Sequence, residues 1–172
     1  RLGRRRSERI MVSRWLRHLF VPPWLAHSAF PRPALSRIEA AIRASERHHR
    51  GEIRFAVEGP RSPFHLHMSP RRRARQAFAE LEVWDTEENT GVLVFVQLVD
   101  RSIEIVADRG IAARVAQPEW DAVCRAMQGR FRRGEYLEGA LEAIDAVTRI
   151  LARHFPAHGA HANELPDKPA VL

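Results

Sequence analysis

Apolar positions along the chain switch repeatedly between two periods. Leu35, Ile38, Ala41, Ile42 and Ser45 recur at spacings of three and four, with Pro33 suited to a first turn and Gly51 to a stop, so the spacing predicts a helix. Ile53, Phe55 and Val57 then alternate with Arg54, Ala56 and Glu58, the period of a strand with one better-buried face. Ser69-Pro70 forms an N-cap and first-turn pair, and Ala74, Ala77, Phe78, Leu81 and Trp84 trace the inner stripe of a second helix. From Val92 to Val99 the chain is apolar on both faces, which places that strand mid-sheet under helices on each side. Asp100-Arg101-Ser102 breaks it, and Ile103, Ile105 and Ala107 complete an antiparallel hairpin. Pro118 opens a helix carrying Trp120, Val123, Cys124, Met127 and Phe131, and Gly134 stops it. A last long helix runs to His154, with Leu137, Leu141, Ile144, Val147 and Leu151 on one side.

This order predicts an α/β three-layer sandwich: a small mixed sheet, made of one βαβ crossover plus a β-hairpin, flanked by helices on both faces. Three segments are expected: an Arg-rich, Trp-containing N-terminal extension over 1–32, the α/β domain over 33–156, and a polar tail over 157–172 lying along the surface. Pro22, Pro23, Pro31 and Pro33 read as a stiff connector between the first two. Trp15, Phe20 and Trp24 are expected to fold back onto the domain. A basic amphipathic segment with tryptophan also fits a peripheral membrane contact, through Trp15, Leu16, Leu19 and Trp24.

Strand direction turns this pattern into a candidate site. Parallel strands joined by a crossover helix run the same way, so the third strand returns its end, Asp108, to the starts of the other two. One rim therefore gathers Glu52, Asp85, Thr86, Glu87, Glu88, Asn89 and Asp108. Such oxygens suit a hard divalent cation, Ca²⁺ or Mg²⁺, and Glu52, Glu88, Asn89 and Asp108 are the candidate ligands. The same carboxylates also suit an acid and base pair, and polar loops that merely cap turns look identical in sequence. The opposite rim, holding Glu58 and Asp100, is where open α/β sheets usually bind ligands.

Charge adds little to the folded part. The formal charge is +7 in 172 residues, but seven arginines face one glutamate within the first twenty residues, so the remainder is close to neutral. Specific nucleic-acid binding is not expected; any such affinity would reside in the arginine tail. Arg71, Arg72, Arg73 and Arg75 oppose the dipole at a helix start and read as a solvated face. The single cysteine, Cys124, excludes an internal disulfide and reads as an inert thiol. His48-His49, His65-Leu66-His67, His154, His158 and His161 lack the spacing of a metal motif. No apolar run reaches the roughly 18–20 residues of a membrane span, and Arg14, Arg17 and His18 interrupt the N-terminal one, so the cytoplasm is the expected compartment, peripheral at the inner membrane face. Met11 reads as an alternative start.

Gly51-Glu52-Ile53, Trp84-Asp85-Thr86 leading into Gly91-Val92-Leu93-Val94-Phe95, Val106-Ala107-Asp108-Arg109-Gly110-Ile111, Trp120, and Asn163-Glu164-Leu165-Pro166-Asp167 together resemble the TPM domain. The chain is similar to the short bacterial branch, which lacks the usual signal peptide and C-terminal membrane helix. The resemblance covers about Pro33 to Leu172 and implies a central sheet between helices. It also implies links to divalent-cation binding, acid phosphatase activity and upkeep of membrane protein complexes. On this reading Asp108 takes the acidic position after the third strand and Glu52 the position opening the first. Asn89-Thr90-Gly91 stand where an acid, Asn and Gly are usual, which shifts the expectation from catalysis toward binding. The leading expectation is thus a non-enzymatic interaction domain with a protein partner near the membrane. Its rival is a metal-assisted phosphatase using Glu52, Glu88 and Asp108.

Overall fold

The computed structural model describes residues 18, 20–22, 24–61, 68–158 and 162–172. Its elements are α1 (Leu25–Ala29), α2 (Arg32–Ser45), β1 (Glu52–Glu58), α3 (Pro70–Glu80), β2 (Gly91–Gln97), β3 (Ser102–Ala107), α4 (Arg109–Ala112), α5 (Gln117–Arg132), α6 (Tyr136–His154) and β4 (Ala170–Val171). The sheet order is β3-β2-β1-β4. β1 and β2 are parallel, with Glu52 opposite Gly91. β2 and β3 form the antiparallel hairpin, with Val92 opposite Ala107. Every residue of β2 is buried, as its two-faced apolar sequence requires.

Strand alternation sorts the side chains into two cores. Ile53, Phe55, Val57, Val92, Val94 and Val96 face α2, α5 and α6, where Ile38, Ile42, Trp120, Met127, Ile144 and Leu151 cover them. Ala56, Leu93, Phe95 and Val106 face the other way, against Ala74 and Ala77 of α3 and Leu165. The sandwich is therefore three layers deep, with the thinner layer on the α3 side.

Local chemistry explains the helix ends. The Ser69 hydroxyl accepts from the Arg72 amide at 3.2 Å, capping α3 with Pro70 in its first turn. Gly134, at φ +79°, turns the chain from α5 into α6.

Several expectations need correction. The proline-rich stretch contains the short helix α1, and its Ala26 and Phe30 are buried in the main core. Phe20 and Trp24 do not fold back; they are 77% and 63% exposed, and Trp15 lies outside the described residues. Trp84 is also exposed, because α3 ends at Glu80 and the turn that follows carries the ring outward. Nor is the start of α3 a plain solvated face. Arg73 is buried between Glu58 at 2.6 Å and Glu80 at 2.9 Å, and Arg71 donates to the Ile105 carbonyl. Carboxylates and carbonyls of the sheet attract those two arginines inward, leaving Arg72 and Arg75 exposed.

The C-terminal segment, expected along the surface, adds the fourth strand. Ala170 and Val171 pair in parallel with Ala56 and Val57 of β1. Before them Arg54 reaches across to the carbonyls of Pro166 and Lys168, the second at 2.8 Å, and Leu165 is buried. Two strand residues flanked by a proline carry too little alternation to mark a strand in sequence.

Gly91 fixes how closely the chain leaving α3 approaches the sheet. A Cβ there would stand 1.9 Å from the Val83 carbonyl oxygen. Gly91→Ala is expected to destabilise the fold by about 3 kcal/mol, the upper end of overpacking costs; urea unfolding followed by circular dichroism measures it.

Candidate functional site

The hairpin does return Asp108 to the expected rim. Its amide donates to the Gly91 carbonyl at 2.9 Å, and Glu52, opposite Gly91, donates its own amide to the Thr90 carbonyl at 3.1 Å. The loop before β2 is built by hydroxyls. Thr86 Oγ1 accepts from the Thr90 amide at 2.9 Å, and Thr90 Oγ1 donates to the Arg50 carbonyl at 3.1 Å. Asn89 sits in the left-handed region at φ +55°, a conformation its short amide tolerates better than most side chains. Gly110 lets the loop close against α4, since a Cβ there would stand 2.6 Å from the carbonyl oxygens of both Glu88 and Asn89.

The four candidate ligands share this rim but point their side chains to different partners. Glu88 receives Arg50 Nη1 on both carboxylate oxygens at 2.6 Å. Asn89 Oδ1 accepts from Arg109 Nε at 2.9 Å. Glu52, 1% exposed, accepts the Leu165 amide at 3.4 Å on the α3 side of the sheet. Asp108 caps α4, its Oδ1 accepting from the Arg109 amide at 2.7 Å, while its Oδ2 is buried with no hydrogen-bond partner. Among the described residues no group of three or more His, Cys, Asp or Glu is placed to hold a metal. His48, His49, His154 and His158 form no such group, and His65, His67 and His161 lie outside the described residues.

Beside the rim lies an acidic cluster that sequence spacing does not reveal. Glu46, just after α2, is held against Glu52 and Asp167. Burial first, then the negative charges of Glu52 and Asp167, push its carboxyl up to about 8. At neutral pH it therefore keeps its proton and shares it with Asp167. Asp167 also accepts from Arg43 Nε at 3.0 Å and from Asn163 Nδ2 at 2.7 Å. The Asn163 to Asp167 motif is thus a clasp that fastens the C-terminal segment to α2 and β1. Its legible signal was the motif itself; Glu46 had none.

A second cluster occupies the opposite rim. The Asp100 carboxylate lies 2.6 Å from Arg61 Nη2 and 3.2 Å from His18 Nε2, while His18 Nδ1 accepts the Arg61 amide at 2.9 Å. Arg61 also approaches Glu58 at 3.5 Å, and Glu58 binds Arg73. This buried ionic chain pins residue 18 to the end of β1. Cys124 takes no part in either cluster; burial, then the Glu104 charge, push its thiol up to about 12, where it stays protonated.

The model of the TPM domain family matches residues 28–150. The chain belongs to that family. Among solved structures, the solution structure of the BA42 protein from the psychrophilic bacterium Bizionia argentinensis is similar at 29% identity and a TM-score of 0.72, over 81% of this chain and 92% of that one. The solution structure of the N-terminal domain of a protein from P. gingivalis shares the fold at 20% identity and a TM-score of 0.59, over 84% of this chain and 97% of that one. None of the curated proteins matches. The TPM sandwich expected from the sequence is thus the observed one, and no described helix is long and apolar enough to cross a membrane.

The Glu46 proton gives stability a pH dependence of definite sign. An unfolded glutamate releases its proton near 4.5, whereas folded Glu46 holds it to about 8. This group's contribution is complete below 4.5 and is lost as pH rises through the window to about 8. Glu46→Gln, neutral throughout, is expected to be more stable than the wild type at pH 8.5 by about 1–2 kcal/mol, less than the full shift because solvent screens part of the carboxyl. At pH 4.5 the advantage should vanish, as thermal melts at the two pH values would show.

Proposed function

We propose that this TPM chain is a non-catalytic binding domain that serves a membrane or envelope protein. The observation that carries this reading is the prior engagement of the rim. Arg50 occupies both oxygens of Glu88, Arg109 occupies Asn89, and Glu52 is buried against Leu165, so three of the four candidate residues are already engaged and Asp108 has no second candidate carboxylate to work with as acid and base. Asn89, in place of the acid usual in the family, supports the same reading.

A divalent cation at the rim is a second reading, favoured by Asp108 Oδ2. A buried carboxylate oxygen without a partner is costly, and a hard cation satisfies it. The carbonyls of Glu88 and Asn89, which close on Gly110 two residues along, are ligand oxygens of the same hard type. Asp108, with Glu88 and Asn89 from the loop, would hold Ca²⁺ or Mg²⁺; Glu52 would contribute charge from the buried side.

Both readings are open to direct measurement. The full chain is expected to hydrolyse p-nitrophenyl phosphate no faster than a blank, with or without magnesium or calcium. Turnover that Asp108→Asn abolishes would sink the non-catalytic reading in favour of a metal-assisted phosphatase. Millimolar calcium should raise the melting temperature of the wild type by a few degrees and leave Asp108→Asn unmoved.

Membrane proximity is supported by the exposed aromatic rings of Phe20 and Trp24; Trp15, Leu16 and Leu19, which precede them in sequence, lie outside the described residues. Truncation at Pro33 would remove the buried Ala26 and Phe30, so point changes test the contact more cleanly. Phe20→Ser with Trp24→Ser is expected to lower co-sedimentation with phosphatidylglycerol vesicles at least threefold while leaving the melting temperature within a degree or two.

A further inference from the structure

A cleft of about 500 Å³ lies away from the acidic rim, between the β2–β3 turn and the corner joining α5 to α6. That volume is in the range of small-molecule sites, roughly 300–1,000 Å³. It opens beyond the C-terminal end of β2, the side of an open α/β sheet on which ligands usually sit.

Its chemistry divides into an apolar floor and a cationic mouth. The floor includes Phe131 and Tyr136, whose rings meet edge-on at 5.0 Å and 71°. Phe30 packs behind both at 6.0 Å, so the two rings are braced by the core. Leu98 and Ile103 continue the apolar lining from the sheet side. At the mouth stand Arg101 and Arg132, both exposed.

Among the described residues no carboxylate compensates the charge at this mouth. Arg130 and Arg133, on either side of Arg132, are bound to Glu135, and Arg130 also to Glu142. Asp100, next to Arg101, is held by Arg61 and His18. Neither Arg101 nor Arg132 has a carboxylate partner among the described residues. Arg101 moreover holds a left-handed backbone at φ +53°, where glycine would cost less. Ser102 also lines the cleft, and its hydroxyl is buried with no hydrogen-bond partner among the described residues. A ring-lined pocket whose two guanidiniums and one hydroxyl have no partner among the described residues matches a ligand with a single anionic head and an apolar body.

We infer that this cleft binds a small amphipathic organic acid, its carboxylate between Arg101 and Arg132 and its aliphatic or aromatic body over Phe131 and Tyr136. The site is independent of the acidic rim and of any cation there.

Octanoate is the probe, with acetate and 1-octanol as head-only and body-only controls, titrated into the ¹⁵N-labelled full chain. Octanoate should give saturable shifts at the amides of Leu98, Ser102, Phe131 and Tyr136. Octanol should bind at least tenfold more weakly, and acetate should not saturate over the same range. Arg101→Ala with Arg132→Ala changes two exposed residues, so the rest of the spectrum should stay in place while octanoate affinity falls at least tenfold. The inference is overturned if octanoate shifts are scattered or fail to saturate, if octanol binds as tightly as octanoate, or if the double variant binds like the wild type.

Discussion

Strand β2 has no solvent face and no free edge, and the rest of the fold is arranged to make that tolerable. A buried strand must satisfy its amides and carbonyls through neighbouring strands, which β1 and β3 supply on its two sides. Its side chains must be covered above and below, which calls for α5 and α6 on one face and α3 on the other. Because β1 is parallel to β2 and β3 antiparallel, both rims are fixed at once. Glu52 and Asp108 lie at one, and Glu58 and Asp100 at the other.

The sequence reads well where a single period dominates. β2, the α3 cap at Ser69 and the two long C-terminal helices were legible because burial and propensity agree there. The rim was legible too, since it follows from strand direction alone. What stayed hidden was partner choice. Nothing in the spacing says that Arg50 takes Glu88 or Arg109 takes Asn89, since arginines are abundant and their long stems reach several carboxylates. Asp108 read as a ligand because α4 is only four residues long, too short to display a period that would mark it as a cap. Phe20 and Trp24 ran against expectation because helix α1 buries the small Ala26 and the later Phe30 in their stead.

Arginine plays two roles in this molecule. Arg61 and Arg73 are buried beside carboxylates, where removing one partner would strand a charge without water. Arg101 and Arg132 stay in solvent, ready to meet an outside anion with little desolvation on their own side. The same side chain thus builds the buried wall of the Glu58 and Asp100 rim and opens the cleft beside it.

The C-terminal clasp bears on how copies of this protein coexist. Without it, β1 would present a row of free backbone groups, a template on which another chain can add a strand. β4 and Leu172 cover the edge from Ala56 to Gly59; toward the start of β1, Arg54 holds the Pro166 to Lys168 backbone over the edge by side-chain bonds. Part of the sheet's border is therefore sealed by a guanidinium in the place of a ladder. Trimming the last few residues by a protease would turn a self-contained fold into one with a sticky seam, and self-association would be the first symptom, well before unfolding.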